Sequence, residues 1–365
     1  MTLHVLHVHS GNIFGGVERL LLDLVASDRA CTHDIALCWP GETADRLRSA
    51  GARVTLLNPV RIARPWTVAA ARRTLARELG RRDPAVAVVH SDWSATAFGT
   101  TLRRTHVPWV RWHHSPPGHR GLRWLARRVP PTAELANSAY TAGAVSPIHP
   151  PPVIHPPVRA LPVTATRSRT REAMDTPPDA LVVLIAARLE PWKGHVPLLE
   201  AMGNQRGHWQ LWIAGGPQSV RERGYAASLA SRAGRLGISA HVRFLGQRRD
   251  IGDLLAAADI YCQPNLRPEP FGIAIVEALY ASLPVVAAEA GGPLEIVTPD
   301  CGVLVPPGDV RALADTLAAL MESAGRRVAL GSAGPARAAT LCDPDRQVVR
   351  IGALLRDAAG ATLSV

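Results

Sequence analysis

Pro268-Glu269-Pro270-Phe271-Gly272-Ile273-Ala274-Ile275-Val276-Glu277-Ala278 sets one glutamate in a loop, turns at Gly272 into an apolar helix, and places a second glutamate about two turns inside it. Ile273, Ile275, Val276 and Leu279 give that helix a buried face, so Glu277 is not ordinary surface decoration. Eight residues of helix span ~12 Å, and the two carboxylates are expected on either side of the helix N-terminus. Such a terminus binds anions through its free N–H groups and its dipole. A phosphate held there would carry a glutamate on each flank, suited to the hydroxyls of two sugars. That is the outline of a ribose, a diphosphate and a hexose.

Four further stretches work outward from this one. LVVLIAARLEPWKG, residues 181–194, reads as a buried strand running into a short loop, with Arg188 and Lys193 at the strand's C-terminal end, where open α/β sheets bind ligands. Lys193 is the only lysine among 41 basic residues, and a compact ammonium on a flexible stem suits a phosphate. HVLHVHSGNIFGGVERLLLDLV, residues 4–25, is strand, glycine-bearing loop and helix; Gly15 and Gly16 let backbone approach a ligand at the helix start. The G-x-G-x-x-G spacing of a dinucleotide site is absent. PWVRWHHSPPG, residues 108–118, ends a strand on His113 and His114, and adjacent strand residues point to opposite faces, so one of the two is expected to face a ligand. WQLWIAGGPQS, residues 209–219, places Gly216 at a strand end.

In this order the blocks resemble the retaining glycosyltransferases of family four, enzymes of the two-domain GT-B fold with an E-x7-E element. The resemblance implies that Glu269 contacts donor-sugar hydroxyls, that Glu277 contacts the ribose, and that Arg188 and Lys193 hold the donor diphosphate. It implies that Gly15, Gly16, Gly216, Pro270, Phe271, Gly272 and Ile273 line the donor. A histidine stands against the donor sugar in the family; aligning Trp112-His113 with its aromatic-His pair favours His113, with His114 the alternative and an acceptor-side candidate. Departures are Gly216 where the family has an acidic residue, a shorter loop at 298–302, and no phenylalanine-tryptophan mark before the last helix.

The coarse map agrees with an α/β class of two Rossmann-like, doubly wound parallel-sheet domains facing a cleft. Strands are expected at 4–8, 34–39, 53–57, 85–90, 108–113 and 134–137, then at 181–187, 209–214, 241–245, 259–263, 284–288 and 302–305, with helices between. PIHPPPVIHPPVRALP, residues 147–162, is rich in proline, which has no amide donor and a fixed φ, and reads as an extended linker. This divides the chain into an acceptor-binding domain, 1–150, and a donor-binding domain, 163–343, with a last helix near 344–359 returning to the first. Five cysteines without a C-x-x-C pair read as reduced, buried thiols of a cytoplasmic protein. No apolar run approaches the ~18–20 residues that span a bilayer.

Charge separates the halves. Residues 1–150 hold 19 arginines against 10 acidic residues, whereas residues 181–365 hold 18 basic against 17 acidic. HRGLRWLARRV, residues 119–129, gathers Arg120, Arg123, Arg127 and Arg128 beside Leu122, Trp124 and Leu125. It reads as a basic amphipathic helix fit for an anionic acceptor or for peripheral contact with a membrane face, with Arg120 the acceptor-side candidate. The remaining histidines, His7 and His9 among them, are expected to be structural or solvated, with no Cys or carboxylate nearby to complete a metal site.

These expectations combine into a retaining, metal-independent glycosyltransferase without a cofactor. It would move a sugar from a nucleotide diphosphate donor (a UDP-sugar first, a GDP-sugar next) to a hydroxyl of a bacterial small-molecule, cell-wall or lipid-linked acceptor. In the family the leaving phosphate helps to deprotonate that hydroxyl. A phosphorylase or a cyclitol-coupling enzyme on the same fold is the alternative. Nucleic-acid binding rests on basicity alone and ranks last.

Overall fold

The computed structural model describes residues 2–118 and 120–360, the side chain of Arg120 excepted. The chain divides into two units, Met1–Val158 with Cys342–Val365, and Arg159–Leu341.

The first unit holds a six-stranded parallel sheet: β1 (Leu3–His9), β2 (Cys31–Leu37), β3 (Arg53–Leu56), β4 (Val86–Val89), β5 (Trp109–His113) and β6 (Ala133–Ala136), ordered β3-β2-β1-β4-β5-β6. The second holds β7 (Leu181–Ala186), β8 (Trp209–Ala214), β9 (Val242–Gly246), β10 (Ile260–Gln263), β11 (Val285–Ala288) and β12 (Gly302–Val305), ordered β12-β11-β10-β7-β8-β9 and also parallel. Each strand falls where alternation placed one. Read from its own first strand, each sheet runs out to its third strand on one side, then crosses over and continues on the other. The physical cause is legible in β4, VAVV, and β11, VVAA, where every residue is buried, as helices on both faces of a parallel sheet require.

The helix Pro344–Gly360 belongs to the first unit. Its Val348, Ile351, Leu355 and Ala358 share a core with Leu24, Val86 and Trp112. The proline-rich stretch is extended, but its first part is tied to the first unit. Ile154 N–H donates to Ala136 O at 3.0 Å, Ala136 N–H donates to Pro152 O at 3.0 Å, and Ile154 and Val158 are buried. The division of units therefore falls after Val158, inside the stretch expected to be free linker. Among the described residues no helix is long and apolar enough to cross a membrane.

Candidate active site

In the second unit β7 and β10 are neighbours although the chain visits β8 and β9 between them, so their C-terminal ends flank the point where the strand order reverses. Gln263 ends β10, and the loop after it carries Asn265 and Glu269; the loop after β7 carries Arg188, Glu190 and Lys193. Glu269 is the hub. Its Oε2 accepts from Lys193 Nζ at 2.5 Å, Asn265 Nδ2 at 2.6 Å and Gln263 Nε2 at 3.0 Å. Charge-assisted bonds of this kind are the strong ones. The buried Tyr261 hydroxyl donates to Gln263 Oε1 at 2.8 Å, which turns the amide so that its NH2 faces Glu269. Burial, and then the charges of Glu277 and Glu269, push Tyr261 ionisation well up, so it stays a donor and both glutamates of the E-x7-E element act on one hydroxyl.

Lys193 Nζ also lies 4.0 Å over the Trp192 ring. Arg188 does not share this hub. Its Nη2 lies 3.0 Å from Glu190 Oε2, which also accepts from Trp192 Nε1 at 2.8 Å. The two cations expected on one diphosphate thus each carry a carboxylate partner.

Glycines hold the loops at this spacing. Gly194 has φ +81°, and a Cβ on it would lie 1.9 Å from Pro264 O. Gly292 N–H donates to Glu269 O at 2.7 Å, and a Cβ there would lie 2.2 Å from Phe271 O. Gly272, at φ +117°, precedes the helix Ile273–Tyr280 and brings no side-chain oxygen to its first amides. Phe271 is buried beside Pro270, and Glu277 is half-buried just over one turn into the helix rather than the two turns expected, because the helix begins only at Ile273. Gly216 owes its identity to close packing, since a Cβ would lie 2.6 Å from that of Gln247.

In the first unit Gly15 precedes the helix Gly16–Ser27, and its N–H donates to Glu18 Oε2 at 3.0 Å. Glu18 Oε1 meets His9 Nε2 at 2.7 Å, both groups buried. Sequence reasoning missed Glu18, although its place three residues after the cap is a known signal for a reciprocal cap. His113 and His114 do face apart. His113 Nε2 lies 3.5 Å from Glu134 Oε1, beside a cavity of about 190 Å3 that Asp92, Arg111, Arg123 and Arg127 also line. His114 Nε2 instead meets His90 Nδ1 at 2.9 Å. The side chain of Arg120 lies outside the described residues. In its helix, Arg120–Arg127, Trp124 is exposed and Arg128 stacks on it at 3.7 Å, while Arg123 Nη2 donates to Val145 O at 2.8 Å.

One expectation is corrected. Carboxylate and thiol do stand near the strand histidines: Glu18 at His9, and Asp28 with Cys31 at His33, where the three ligand-type atoms lie within 4.8 Å of one another. The trio is a hydrogen-bonded knot. Asp28 Oδ1 accepts from the amides of Ala30 and Cys31 at 2.8 and 3.0 Å, Oδ2 meets His33 Nε2 at 3.1 Å, and burial with Asp28 beside it pushes the Cys31 thiol up to about 12.

Comparison with known proteins adds the following. Residues 166–337 match the family described as glycosyl transferases group 1. The chain is 41% identical over 140 residues to the phosphatidyl-myo-inositol mannosyltransferase of Mycobacterium leprae, which is 37% of this chain and 35% of that one. It is 34% identical over 181 residues to the GDP-mannose-dependent monoacylated alpha-(1-6)-phosphatidylinositol monomannoside mannosyltransferase of Corynebacterium glutamicum, 47% of this chain and 45% of that one. It is 36% identical over 191 residues to the D-inositol 3-phosphate glycosyltransferase of Xylanimonas cellulosilytica, 51% and 43%. These matches span less than half the length of each relative. Among solved structures, Anabaena Alr3699/HepE in complex with UDP and glucose superposes with a TM-score of 0.86 at 24% identity, covering 97% of this chain and 100% of that one. The fold is of the GT-B type.

Proposed function

We propose, for a chain whose residues 166–337 match the glycosyl transferases group 1 family, that it is a retaining glycosyltransferase moving a hexose from a nucleoside diphosphate sugar to an inositol-bearing acceptor. The observation that carries this is the hub on Glu269 at the switch point of the second sheet, one short loop ahead of an uncapped helix. In this reading the donor diphosphate lies at the amides of Ile273 and the next residues and draws Lys193 and Arg188 from their present carboxylate partners. Both cations then stabilise charge that grows on the leaving group, commonly the largest catalytic contribution. Glu269, relieved of one donor, accepts from sugar hydroxyls; Glu277 accepts from the ribose. The relative named as GDP-mannose-dependent favours GDP-mannose over the UDP-sugar expected from sequence, and the names of all three favour an inositol or phosphatidylinositol acceptor. The arginine-rich first unit suits the phosphate of such an acceptor. The exposed Trp124 with Arg128 suits contact with an anionic bilayer carrying it.

The test is thermal shift against GDP, UDP, ADP, dTDP and their hexoses. A ligand at 100 times its dissociation constant adds ~2.7 kcal/mol. Selective stabilisation by GDP and GDP-mannose is expected, followed by transfer of mannose to phosphatidylinositol vesicles with the anomeric configuration kept. A preference for UDP would move the donor assignment. No shift with any nucleotide would overturn the reading.

A further inference from the structure

Asp28, Cys31 and His33 stand three and two residues apart where the helix Gly16–Ser27 turns into β2. Asp28 ends that helix, and its N–H donates to Leu24 O at 2.9 Å. Cys31 opens β2 and pairs with Leu3, the first residue of β1. Alternation along a strand points Cys31 and His33 to one face. All three residues are buried, whereas Arg29, Ala30 and Thr32 between them are exposed. One short turn thus carries a carboxylate, a thiol and an imidazole inward, just beneath the surface. One ligand-type atom from each lies within 4.8 Å of the other two.

The three atoms are placed as corners of a coordination shell. Zinc–ligand bonds of roughly 2.0–2.3 Å at the tetrahedral angle set ligand atoms roughly 3.3–3.6 Å apart. Asp28 Oδ2 and His33 Nε2 are 3.1 Å apart. The carboxylate is already aimed. Its Oδ1 accepts from the amides of Ala30 and Cys31 at 2.8 and 3.0 Å, which leaves Oδ2 facing His33. The imidazole is braced from behind, since His33 Nδ1 meets His7 Nε2 at 2.9 Å. Metal-ligating histidines characteristically have such a partner on the other ring nitrogen.

We propose that Asp28 Oδ2, Cys31 Sγ and His33 Nε2 form a zinc site at the N-terminal edge of the first sheet. One oxygen, one sulfur and one nitrogen make a donor set of intermediate softness that suits zinc, whereas magnesium and calcium take oxygen ligands. A carboxylate and a thiolate offset two positive charges, so the loaded site is neutral, as burial requires. Water takes the fourth position, as it does at other zinc ions with three protein ligands. Coordination removes the thiol proton outright, and Arg356, from the helix Pro344–Gly360, exerts its charge on the thiol in the same direction. Open α/β sheets bind substrates at the opposite, C-terminal edge. The zinc instead clips the end of one helix to the start of the next strand, and the site is independent of the transferase reading.

Zinc at this edge has a consequence across the sheet. His33 Nδ1 meets His7 Nε2, His7 Nδ1 meets His90 Nε2, and His90 Nδ1 meets His114 Nε2, each at 2.9 Å. A neutral imidazole has one donor and one acceptor. Facing a carboxylate that only accepts, His33 donates from Nε2, and each later ring in the row then carries its proton on Nε2 too. Zinc on His33 Nε2 forces that ring's proton to Nδ1, and His7, His90 and His114 follow. The protons balance. His33 gives its Nε2 proton to solvent, each ring hands its own Nε2 proton to the ring before it, and His114 takes one from water at Nδ1. That nitrogen makes no hydrogen bond among the described residues, and His114 is only half-buried. The net change is one thiol proton released per zinc.

The test uses full-length protein, reduced and stripped by a chelator, with zinc alone as the ligand. Isothermal titration should find one zinc per chain, with one proton released, read from the heat in buffers of different ionisation enthalpy. Nitrogen-15 spectra of histidine-labelled protein at pH 8 should show all four rings protonated on Nε2 before zinc and on Nδ1 after it. Cobalt in place of zinc should give the charge-transfer band of a thiolate ligand. Cys31→Ser and His33→Gln should each weaken zinc binding at least ~100-fold, and His7→Phe, which removes only the brace, about tenfold. Should a variant fail to fold, the wild-type spectra decide alone. Zinc that binds without moving the tautomers, or that binds folded Cys31→Ser as tightly as the wild type, sits elsewhere and overturns the proposal. So does the absence of binding at micromolar zinc. None of these readouts uses a nucleotide, so the zinc site and the transferase reading stand or fall separately.

Discussion

At the switch point of the second unit, between β7 and β10, an ammonium and two amides converge on the carboxylate of Glu269. At the equivalent point of the first unit, between β1 and β4, His7 and His90 meet as buried rings in a row of imidazoles. The strand order is the same, outward from each first strand, and so is the place. What differs is the charge that the place can hold. A charged hub with partly exposed members suits a ligand that brings its own charge, whereas a desolvated imidazole row favours rings that stay neutral. The fold supplies position; the side chains supply chemistry.

Substitution at the charged hub should give the largest effect. Glu269→Ala or Lys193→Ala is expected to lower turnover at least ~100-fold, as loss of a preorganised charge contact does, with circular dichroism unchanged. Near-normal rates in both folded variants would erase the functional contrast between the two switch points. Next comes the backbone that holds each loop. Gly194→Ala sets a Cβ against Pro264 O at positive φ and should cost ~3 kcal/mol in urea unfolding. Gly15→Ala has only the Glu18 carboxylate within reach, at 3.6 Å, in extended backbone, and should stay within ~0.5 kcal/mol. Equal costs would mean that both loops are equally clamped.

Acid is expected to act unequally on the two units. His7 and His90 are depressed in the native state, so the unfolded chain binds more protons as pH falls below the ordinary imidazole value. The stability they contribute is complete above pH ~6.5 and is lost below it, at about 1.4 kcal/mol per pH unit for each group that remains neutral in the native state. The second unit has one such group, His195, lowered to about 4 by burial and then by Lys193. Hydrogen exchange at pH 5 should therefore show protection lost in β1 and β4 before β7 and β10; the opposite order would contradict the assigned charge states. The smallest effect is expected at the surface. Trp124→Ala should change stability by no more than ~0.5 kcal/mol, while weakening binding to anionic vesicles if that helix meets a membrane.

The sequence was most informative where chemistry lies in a short stretch. Glu269, Gly272 and Glu277 could be placed around one helix start, and the twelve strands followed from buried runs. The partners of the cations were not legible, because Arg188 and Glu190 share a loop in which either could have turned outward. The imidazole row was hidden for a stronger reason. Its links join residues 26, 83 and 24 positions apart, and no period or motif relates such positions until the strand order is known.

Local pattern thus determined the elements, their alternation and the carboxylate-flanked helix start, since burial period and turn chemistry are properties of neighbouring residues. Only the tertiary structure decided that Lys193 rests on Glu269 and that four histidines meet across the first sheet. Those contacts depend on which strands become neighbours and in what register, and that choice is made by the packing of the whole sheet.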